Sequence, residues 1–315
     1  MGFSLPLCIP GAPRGAVRRL AGLSVLVVVL GCARDDALRT PATSPISVVD
    51  DAGRAVQLAA PARRIISLIP AQTDVVVLLA GPDVLLARTQ WDQDPRLAHL
   101  PSIGNALTPS IEWLAAQRPD LVLAWPDAQS RDVVRRLADI GIPVYASRVE
   151  SIAEIRSMIT RLGVLLGTAA RADSVIAAMD AELAAVRAEV AGREPPRVLY
   201  LLSADPPTVA GPGTFVDELI RVAGGVNAFD DVAQLWPQVS LEEIVRRQPD
   251  VIIRPSEQAL DDPLAGLTGQ AGWRELRAVQ ARRVFAVDPY FYNRPGATVG
   301  AAARGLAERM YAPPR

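Results

Sequence analysis

The side chains that enzymes most often use for nucleophilic, acid–base or metal chemistry are scarce in this chain. Its 315 residues contain one histidine, His99, and two cysteines, Cys8 and Cys32. The chain has no lysine, so its permanently charged basic side chains are all arginines. Without lysine there is no P-loop lysine and no Schiff base. One histidine is a poor basis for a His/Cys metal site or a Ser-His-Asp triad. We therefore expect no catalytic residue, no metal site and no resident cofactor, with His99 in a loop or packing role.

Composition places the chain among soluble globular proteins with a substantial core. Half of the residues are hydrophobic, about a fifth are charged, and the formal net charge is −1. A near-neutral chain without a basic patch gives no reason to expect a nucleic-acid partner. The length allows one large domain or two of ordinary size.

The amino terminus has the pattern of an export signal. Three arginines precede an apolar run, 20–30, and no acidic residue occurs before Cys32. A run of this length is typical of a signal peptide and is short for a membrane span. It ends in VLGC, which resembles the lipobox of bacterial lipoproteins. We predict a signal peptide over 1–31, acylation of Cys32 and a tether over 32–45. The protein would then be anchored in the periplasm, or on the cell surface of a host without an outer membrane.

One short sequence occurs twice in the chain. SIEWLAAQRPDLVL fills 110–123 and SLEEIVRRQPDVII fills 240–253. Each copy begins with a serine suited to cap a helix, followed in the first turn by an acidic residue, Glu112 or Glu242, that the helix dipole favours. The proline ends the helix, and the apolar run after it is typical of a buried strand.

The similarity between the two halves extends to both sides of this repeat. RIISLIP and RVLYLLS predict central strands, and TDVVVLLAG and TFVDELIRVAGG predict helices. Segments RDVVRRLADIGIPVYAS and WRELRAVQARRVFAVD each predict a further helix and strand, and 46–58 predicts a hairpin. The glycine-rich GPGTF is better suited to start a helix capped by Thr214 than to cradle a phosphate. Each half is therefore predicted to be a strand-helix-strand-helix-strand lobe.

A helical stretch separates the two predicted lobes. Ser151 and Glu154 form a capping box, and the alanine-rich segment after them favours one continuous helix. We predict an amino-terminal lobe over 46–167, an inter-lobe backbone helix over 168–192 and a carboxyl-terminal lobe over 193–315. A long helix is stiff, so it predicts only a small closure of the lobes.

Two α/β lobes, one helical strut and a lipoprotein signal together resemble the class III periplasmic binding proteins. These are the substrate-capture components of ABC importers for cobalamin, ferric siderophores and haem. The resemblance runs from Ile46 onward and is carried by DDAGR, PARRIISLIPAQTD, RPDLVLAW, WPQVSLEEI and QPDVII; Asp74 stands where the family usually has glutamate. It implies two Rossmann-like α/β lobes joined by one backbone helix, a ligand cleft between them and binding instead of catalysis.

The resemblance also assigns residues to the cleft. Trp91, Trp125 and Trp236 fall at the aromatic cleft positions of the cobalamin-binding members, and Arg294 falls at their cleft arginine. Tyr290 stands where those members have aspartate. We predict that these five residues bind the ligand.

Other aromatic residues divide into two groups by position. Phe291 and Tyr292 also follow the VFAVD strand, so they are expected to face the cleft. Trp113 and Trp273 lie within predicted helices and are expected to pack in the core.

The ligand remains open between two kinds of metal chelate. A corrinoid is broad and amide-rich, so aromatic walls with a few donors would suit it. Ferric siderophores are often anionic and would need several cleft arginines, for which Arg88 and Arg254 are the candidates besides Arg294. We favour a cobalt corrinoid, with a ferric siderophore or haem as the alternative. An α/β transferase-type enzyme is the least favoured reading.

The repeated acidic residues acquire a second role from the resemblance. In this family a glutamate on each lobe pairs with arginines of the membrane subunits, and Glu112 and Glu242 match those positions. The predicted partners are therefore the permease and ATPase subunits of an ABC importer. We expect the protein itself to be a monomer.

Overall fold

The computed structural model describes most of the chain beyond the amino-terminal segment. The described residues are 45–312 except 129, 258–261, 265, 268 and 270. The predicted signal peptide over 1–31, Cys32 and nearly all of the tether over 32–45 lie outside them. Within the described part, no helix combines the length and the apolar character needed to cross a bilayer. The described residues belong to a single compact unit.

Strands and helices alternate along most of the described chain. The strands are β1 Ile46–Val49, β2 Ala55–Leu58, β3 Ile65–Ser67, β4 Leu121–Ala124, β5 Val144–Ala146, β6 Arg197–Ala204, β7 Pro207–Val209, β8 Val226–Asn227, β9 Val251–Pro255 and β10 Val284–Val287. The helices are α1 Pro70–Ala80, α2 Ile111–Ala116, α3 Arg131–Asp139, α4 Ile152–Leu166, α5 Ala169–Val190, α6 Phe215–Val222, α7 Leu241–Arg247, α8 Ala271–Arg274, α9 Arg277–Gln280, α10 Pro289–Tyr292 and α11 Val299–Met310. Two single-turn 3-10 helices follow α1, at Pro82–Val84 and Pro95–Leu97.

The first half of the chain builds a parallel sheet in the order β3-β4-β5. Its strands are fully buried, as expected of a parallel sheet covered on both faces. The antiparallel hairpin β1-β2 lies apart from it, as the sequence predicted. Because parallel strands end at one edge, the segments after β3, β4 and β5 emerge together.

The second half builds a larger sheet around β6. Strands β10, β9 and β6 are parallel, β8 pairs with β6 in parallel, and β7 pairs with β6 antiparallel. The carboxyl ends of β6, β9 and β10 therefore also share an edge. The two predicted α/β lobes are confirmed, although WRELRAVQ forms two short helices, α8 and α9, where one was predicted.

The repeated helices have the predicted caps. Ser110 Oγ accepts a hydrogen bond from Trp113 N and Ser240 Oγ accepts one from Glu243 N, each at 3.2 Å. Ser151 forms the predicted capping box at the start of α4. In the same way Thr214 caps α6, so GPGTF does start a helix.

Helix α5 is continuous for 22 residues and is held between neighbouring helices. A Cβ on Gly163 of α4 would lie 2.5 Å from Ala172 Cβ, and one on Gly300 of α11 would lie 2.6 Å from a Glu182 carboxylate oxygen. These close approaches explain the two glycines. One hydrophobic cluster runs from α1 through α4 and α5 to α6 and α11, so a shared core joins both halves.

Candidate ligand-binding site

A cavity of about 810 Å³ lies where the carboxyl ends of the two sheets meet. This is the edge at which open α/β sheets bind ligands, and the volume is at the upper end for small-molecule sites. Seven segments line it: Ile69–Gln72, Trp91, Leu107, Trp125 with Asp127, Ser147–Glu150, Leu235 with Trp236, and Pro289–Pro295 apart from Phe291 and Tyr292. Both halves of the chain contribute.

All five residues that were predicted to bind ligand reach this cavity. Trp91 and Trp125 line it from the first half of the chain, and Trp236, Tyr290 and Arg294 line it from the second. Trp125 directly follows β4, the central strand of the first sheet, so the sheet fixes its position. Their contact with a ligand remains a prediction.

The expectation for Phe291 and Tyr292 is wrong. Tyr292 is buried in the core, and its hydroxyl accepts a hydrogen bond from Arg309 at 3.1 Å. Phe291 packs against the same core, edge to face with Tyr292. The segment after β10 folds into helix α10, and two residues of helix turn a side chain by about 200°, which directs Tyr292 away from Tyr290.

The two further arginine candidates also lie elsewhere. Arg254 is buried and donates to the Pro263 carbonyl at 2.6 Å, and Arg88 donates to the Thr89 carbonyl at 3.4 Å. Neither lines the cavity. Arg254 lies on β9, which stands between β10 and β6 and is buried along its whole length.

The remaining sequence-based assignments concern packing. Trp273 is fully buried, and Trp113 packs partly buried against the core of the first sheet. His99 is exposed in a turn. Among the described residues no cluster of three or more His, Cys, Asp or Glu side chains could hold a metal ion.

A short extended segment holds Trp236 in place. The Leu235 carbonyl accepts from Gly211 N at 2.7 Å, and the Pro237 carbonyl accepts from Val209 N at 3.1 Å. Gly211 permits this approach because a Cβ there would lie 2.1 Å from the Gln234 carbonyl oxygen. The GPGT loop therefore positions an aromatic wall of the cavity, a role that the sequence reading missed.

Arg294 connects the two halves of the chain across the cavity. It donates to Asp74 Oδ2 at 2.8 Å and, through its other terminal nitrogen, to the Trp91 carbonyl. Its guanidinium also lies 5.7 Å from the centre of the Tyr290 ring. Burial raises the pKa of Asp74, with Arg294 acting against that shift. Asp74 is the residue that the sequence reading noted only as a departure from the family pattern.

The cavity wall is aromatic and nearly balanced in charge. Its charged side chains are Arg148, Arg294, Asp127 and Glu150. None of the described residues that line it is His, Cys or Met. The wall therefore offers stacking surfaces and a few hydrogen-bonding groups, and its described residues provide no imidazole, thiol or thioether ligand for a metal.

The two acidic residues of the repeat lie outside the cavity, on exposed first turns. Glu112 accepts from Arg136 at 2.9 Å, and its side chain is 77% exposed. Glu242 is also exposed. Backbone N–H groups of the helix start and the capping serines, Ser110 and Ser240, lower the pKa of both carboxyls, so both carry charge at neutral pH.

Comparison with known proteins agrees with this architecture. A family profile described as periplasmic binding protein matches residues 65–291. A vitamin B12-binding protein of Vibrio cholerae is 31% identical over 236 residues, which are 75% of this chain and 84% of that protein. An uncharacterized ABC transporter substrate-binding lipoprotein of Bacillus subtilis, YvrC, is 27% identical over 280 residues, 85% of this chain and 86% of its own length.

A solved structure has the same fold. The periplasmic heme-binding protein RhuT from Roseiflexus sp. RS-1, in its apo form, superposes with a TM-score of 0.72 at 28% identity, covering 79% of this chain and 98% of that one. These relatives are binding proteins, and the superposed structure shares the two-lobe fold described above. The chain belongs to the periplasmic binding protein family, the substrate-binding components of ABC importers, and it is a binding protein and not an enzyme.

Proposed function

We propose that this chain is the substrate-binding lipoprotein of an ABC importer and captures a corrinoid in the cavity between its lobes. The observation that carries the proposal is the wall of that cavity. Three tryptophans and a tyrosine surround a space of about 810 Å³ whose lining charges balance. A corrinoid is broad, flat and rich in amides, so it would gain stacking area without requiring a strong charge in the wall.

The corrinoid also fits the absence of His, Cys and Met from the described residues of the wall. Cobalt in cyanocobalamin already has its full set of ligands, so the protein need not supply one. The relationship to a vitamin B12-binding protein at 31% identity supports the same ligand.

Haem or a ferric siderophore is the second candidate, favoured by the superposition on a heme-binding protein. Haem iron usually takes a protein ligand, and Tyr290 is the one phenol among the described lining residues. Haem would therefore use Tyr290 as its iron ligand, whereas a corrinoid needs no ligand from the protein.

The proposal extends to the membrane and to the transporter. Acylation of Cys32 would anchor the protein in the periplasm, or on the cell surface of a host without an outer membrane. Glu112 and Glu242, exposed on the first turns of α2 and α7, would pair with arginines of the permease. Two charges on two lobes would orient docking more than they would add to affinity. Mass spectrometry of the membrane fraction tests the anchor, and an unmodified Cys32 would exclude it.

The test of ligand identity is calorimetric titration of the full chain, solubilised in detergent. Cyanocobalamin, a ferric hydroxamate, a ferric catecholate and haem are titrated in parallel. We expect saturable binding of cyanocobalamin in preference to the other three. Preferential saturation by a ferric chelate or haem would keep the transport role and replace the ligand.

Two tryptophan variants provide the matched comparison. Trp236→Ala removes a wall of the cavity, and we expect it to weaken cyanocobalamin binding by at least ~30-fold, as for a central aromatic contact. Trp113→Ala removes the same side chain from α2, outside the cavity, and should leave affinity within about threefold. Equal losses in both variants would contradict the assignment of Trp236 to the ligand site.

A further inference from the structure

The cavity contains an arginine whose charge is already paired with a carboxylate of the protein. Arg294 lies 2.8 Å from Asp74 and donates from its other terminal nitrogen to the Trp91 carbonyl. Its side chain is only 13% exposed. These contacts use the planar edge of the guanidinium with which arginine binds carboxylates and phosphates.

We propose that Asp74 is a specificity-determining residue that makes the cavity select ligands without net negative charge. By holding Arg294 in an ion pair, it neutralises the more enclosed of the two lining arginines, so that Arg294 can contact the ligand but does not bind an anionic group on it. This inference rests on the proposed ligand-binding function and adds the charge class of the ligand. Asp74 acts through its ion pair with Arg294 and need not touch the ligand itself.

The other charged groups of the wall also favour a ligand without net negative charge. Arg148 is the second lining arginine and is exposed, with Glu150 two residues away and Asp127 also in the lining. Adding Asp74 gives three carboxylates against two guanidinium groups. An anionic chelate would therefore meet a wall without net positive charge, with the Asp74 carboxylate beside Arg294 just outside the lining.

Binding of an anion to Arg294 would also leave the Asp74 carboxylate in a less favourable state. The anion would have to displace the Asp74 carboxylate, which would then lack its cation in a site where burial already raises the pKa of Asp74. Asp92 and Asp94 lie close enough to raise that pKa further. A competing carboxylate must therefore open the pair, whereas a neutral ligand leaves it intact.

The variant Asp74→Asn is expected to fold. A carboxyl group whose pKa is raised in the folded state contributes stability at low pH and loses it as pH rises through that pKa. The ionised Asp74 therefore adds no net stability through its charge at neutral pH. The amide retains the shape and can still accept a hydrogen bond from Arg294.

The test compares two ligands that differ by one charge. One is cyanocobalamin, and the other is its monocarboxylate, in which one side-chain amide has been hydrolysed. Binding of both to the full chain is measured calorimetrically in detergent at pH 7. We expect the parent protein to prefer the neutral form by at least ~10-fold, and Asp74→Asn to reduce the preference to below about threefold. The affinity of the variant for cyanocobalamin should change little.

A matched variant controls for the loss of an aspartate charge as such. Asp180 pairs with Arg156 at 2.7 Å between α5 and α4, outside the cavity, and is similarly exposed. Asp180→Asn should leave the preference as in the parent. A parent that does not discriminate, or a preference that survives in Asp74→Asn, would overturn the inference while leaving corrinoid binding in place.

Failure of the proposed ligand gives a different result. If the parent binds neither corrinoid, the same comparison is made with an uncharged ferric trihydroxamate and an anionic ferric tricatecholate. The inference then requires preference for the uncharged complex, reduced in Asp74→Asn. Preference for the anionic complex, or no binding of any of the four probes, would overturn it.

Discussion

The repeated segments of the two lobes, 110–123 and 240–253, share a backbone but differ in their surroundings. Eight residues after each capping serine, Arg118 and Gln248 both adopt left-handed conformations, with φ of 50° and 44°. Two residues later an aspartate accepts a hydrogen bond from the backbone at the start of the neighbouring strand. Similar sequence has thus produced the same caps, the same left-handed residue and the same strand tie, by which we mean the hydrogen bond from the neighbouring strand to the aspartate.

The side chains around the two copies are not equivalent. Glu112 forms an ion pair with Arg136 of α3, whereas the described residues offer Glu242 no ion pair. Next to Glu242, Glu243 binds Arg246 at 2.6 Å and Arg247 at 2.6 Å. The repeat determines where each first-turn carboxylate stands, and residues outside the repeat determine whether its charge is already paired.

The largest effect is expected from removing both charges. If Glu112 and Glu242 dock the protein to its permease, Glu112→Ala with Glu242→Ala should reduce ligand uptake by whole cells by roughly 100-fold. Ligand affinity of the purified chain should not change, because neither residue lines the cavity. Uptake and calorimetric binding are measured on the same variants.

The single variants sharpen the comparison between the lobes. Since Arg136 already pairs with Glu112, the loss of Glu242 should reduce uptake more than the loss of Glu112. Glu308→Ala, an exposed glutamate of α11, serves as the control and should leave uptake unchanged. Loss of ligand binding in the double variant would contradict the docking role.

The next effect concerns a segment that only one lobe contains. In the first lobe two residues connect β3 to α1, whereas in the second β7 and the GPGT loop lie between β6 and α6. Gly211→Ala would place a Cβ 2.1 Å from the Gln234 carbonyl oxygen. We expect a loss of about 2 kcal/mol in unfolding free energy, typical of overpacking, and weaker ligand binding through Trp236.

Urea denaturation and calorimetric titration check this prediction. Gly269→Ala is the control, because a Cβ on Gly269 would meet no atom within 4 Å. A Gly211→Ala variant that keeps both stability and affinity would show that the Trp236 segment can move without cost. The second lobe would then need no insertion to support its aromatic wall.

A smaller difference is expected between the two strand ties. Asp120 accepts from Arg63 N at 2.8 Å and from Arg64 N at 3.0 Å, while Asp250 accepts from Arg197 N at 2.9 Å. Alanine at Asp120 should therefore cost about 2 kcal/mol of unfolding free energy, and alanine at Asp250 about 1 kcal/mol.

Thermal or urea unfolding of the two variants measures this difference. Asp173→Ala on the exposed face of α5 provides the baseline for losing an aspartate. Equal losses at Asp120 and Asp250 would mean that the second backbone hydrogen bond at Asp120 contributes no more than the ion pair between Asp250 and Arg277, which is 3.8 Å long.

Local patterns in the sequence predicted much of the fold. Caps at Ser110, Ser240 and Ser151, the hairpin and the continuous α5 all follow from neighbouring residues, so they could be identified without tertiary information. The position of the cavity was predicted from the family resemblance, and it agrees with the rule that open α/β sheets bind ligands at the carboxyl ends of their strands.

Features set by distant or rotated residues could not be predicted in this way. Asp74 and Arg294 are 220 positions apart, and no local pattern connects them. Tyr292 turned away because the aromatic segment became the short helix α10, and a strand-end argument takes no account of helical rotation. Arg254 is buried on the strand β9, and the strand pattern did not show that its side chain fails to reach the cavity.

The smallest effect tests whether the shared left-handed residues are equally strained. The left-handed region costs a residue with a Cβ about 1–2 kcal/mol, and glycine removes that cost while adding freedom to the unfolded chain. Among the described residues the Arg118 side chain has no hydrogen bond, whereas Gln248 accepts from Arg277 N at 3.0 Å. Arg118→Gly should therefore raise the unfolding free energy by about 0.5 kcal/mol, while Gln248→Gly should show no gain.

Replicate urea denaturation curves resolve a difference of this size in unfolding free energy. Arg118→Ala is the control, since it removes the same side chain and keeps the Cβ, so it should not be stabilising. If Gln248→Gly gained as much as Arg118→Gly, the hydrogen bond from Arg277 N to Gln248 would add nothing to stability. The left-handed residues of the two copies would then be equivalent in energy as well as in backbone conformation.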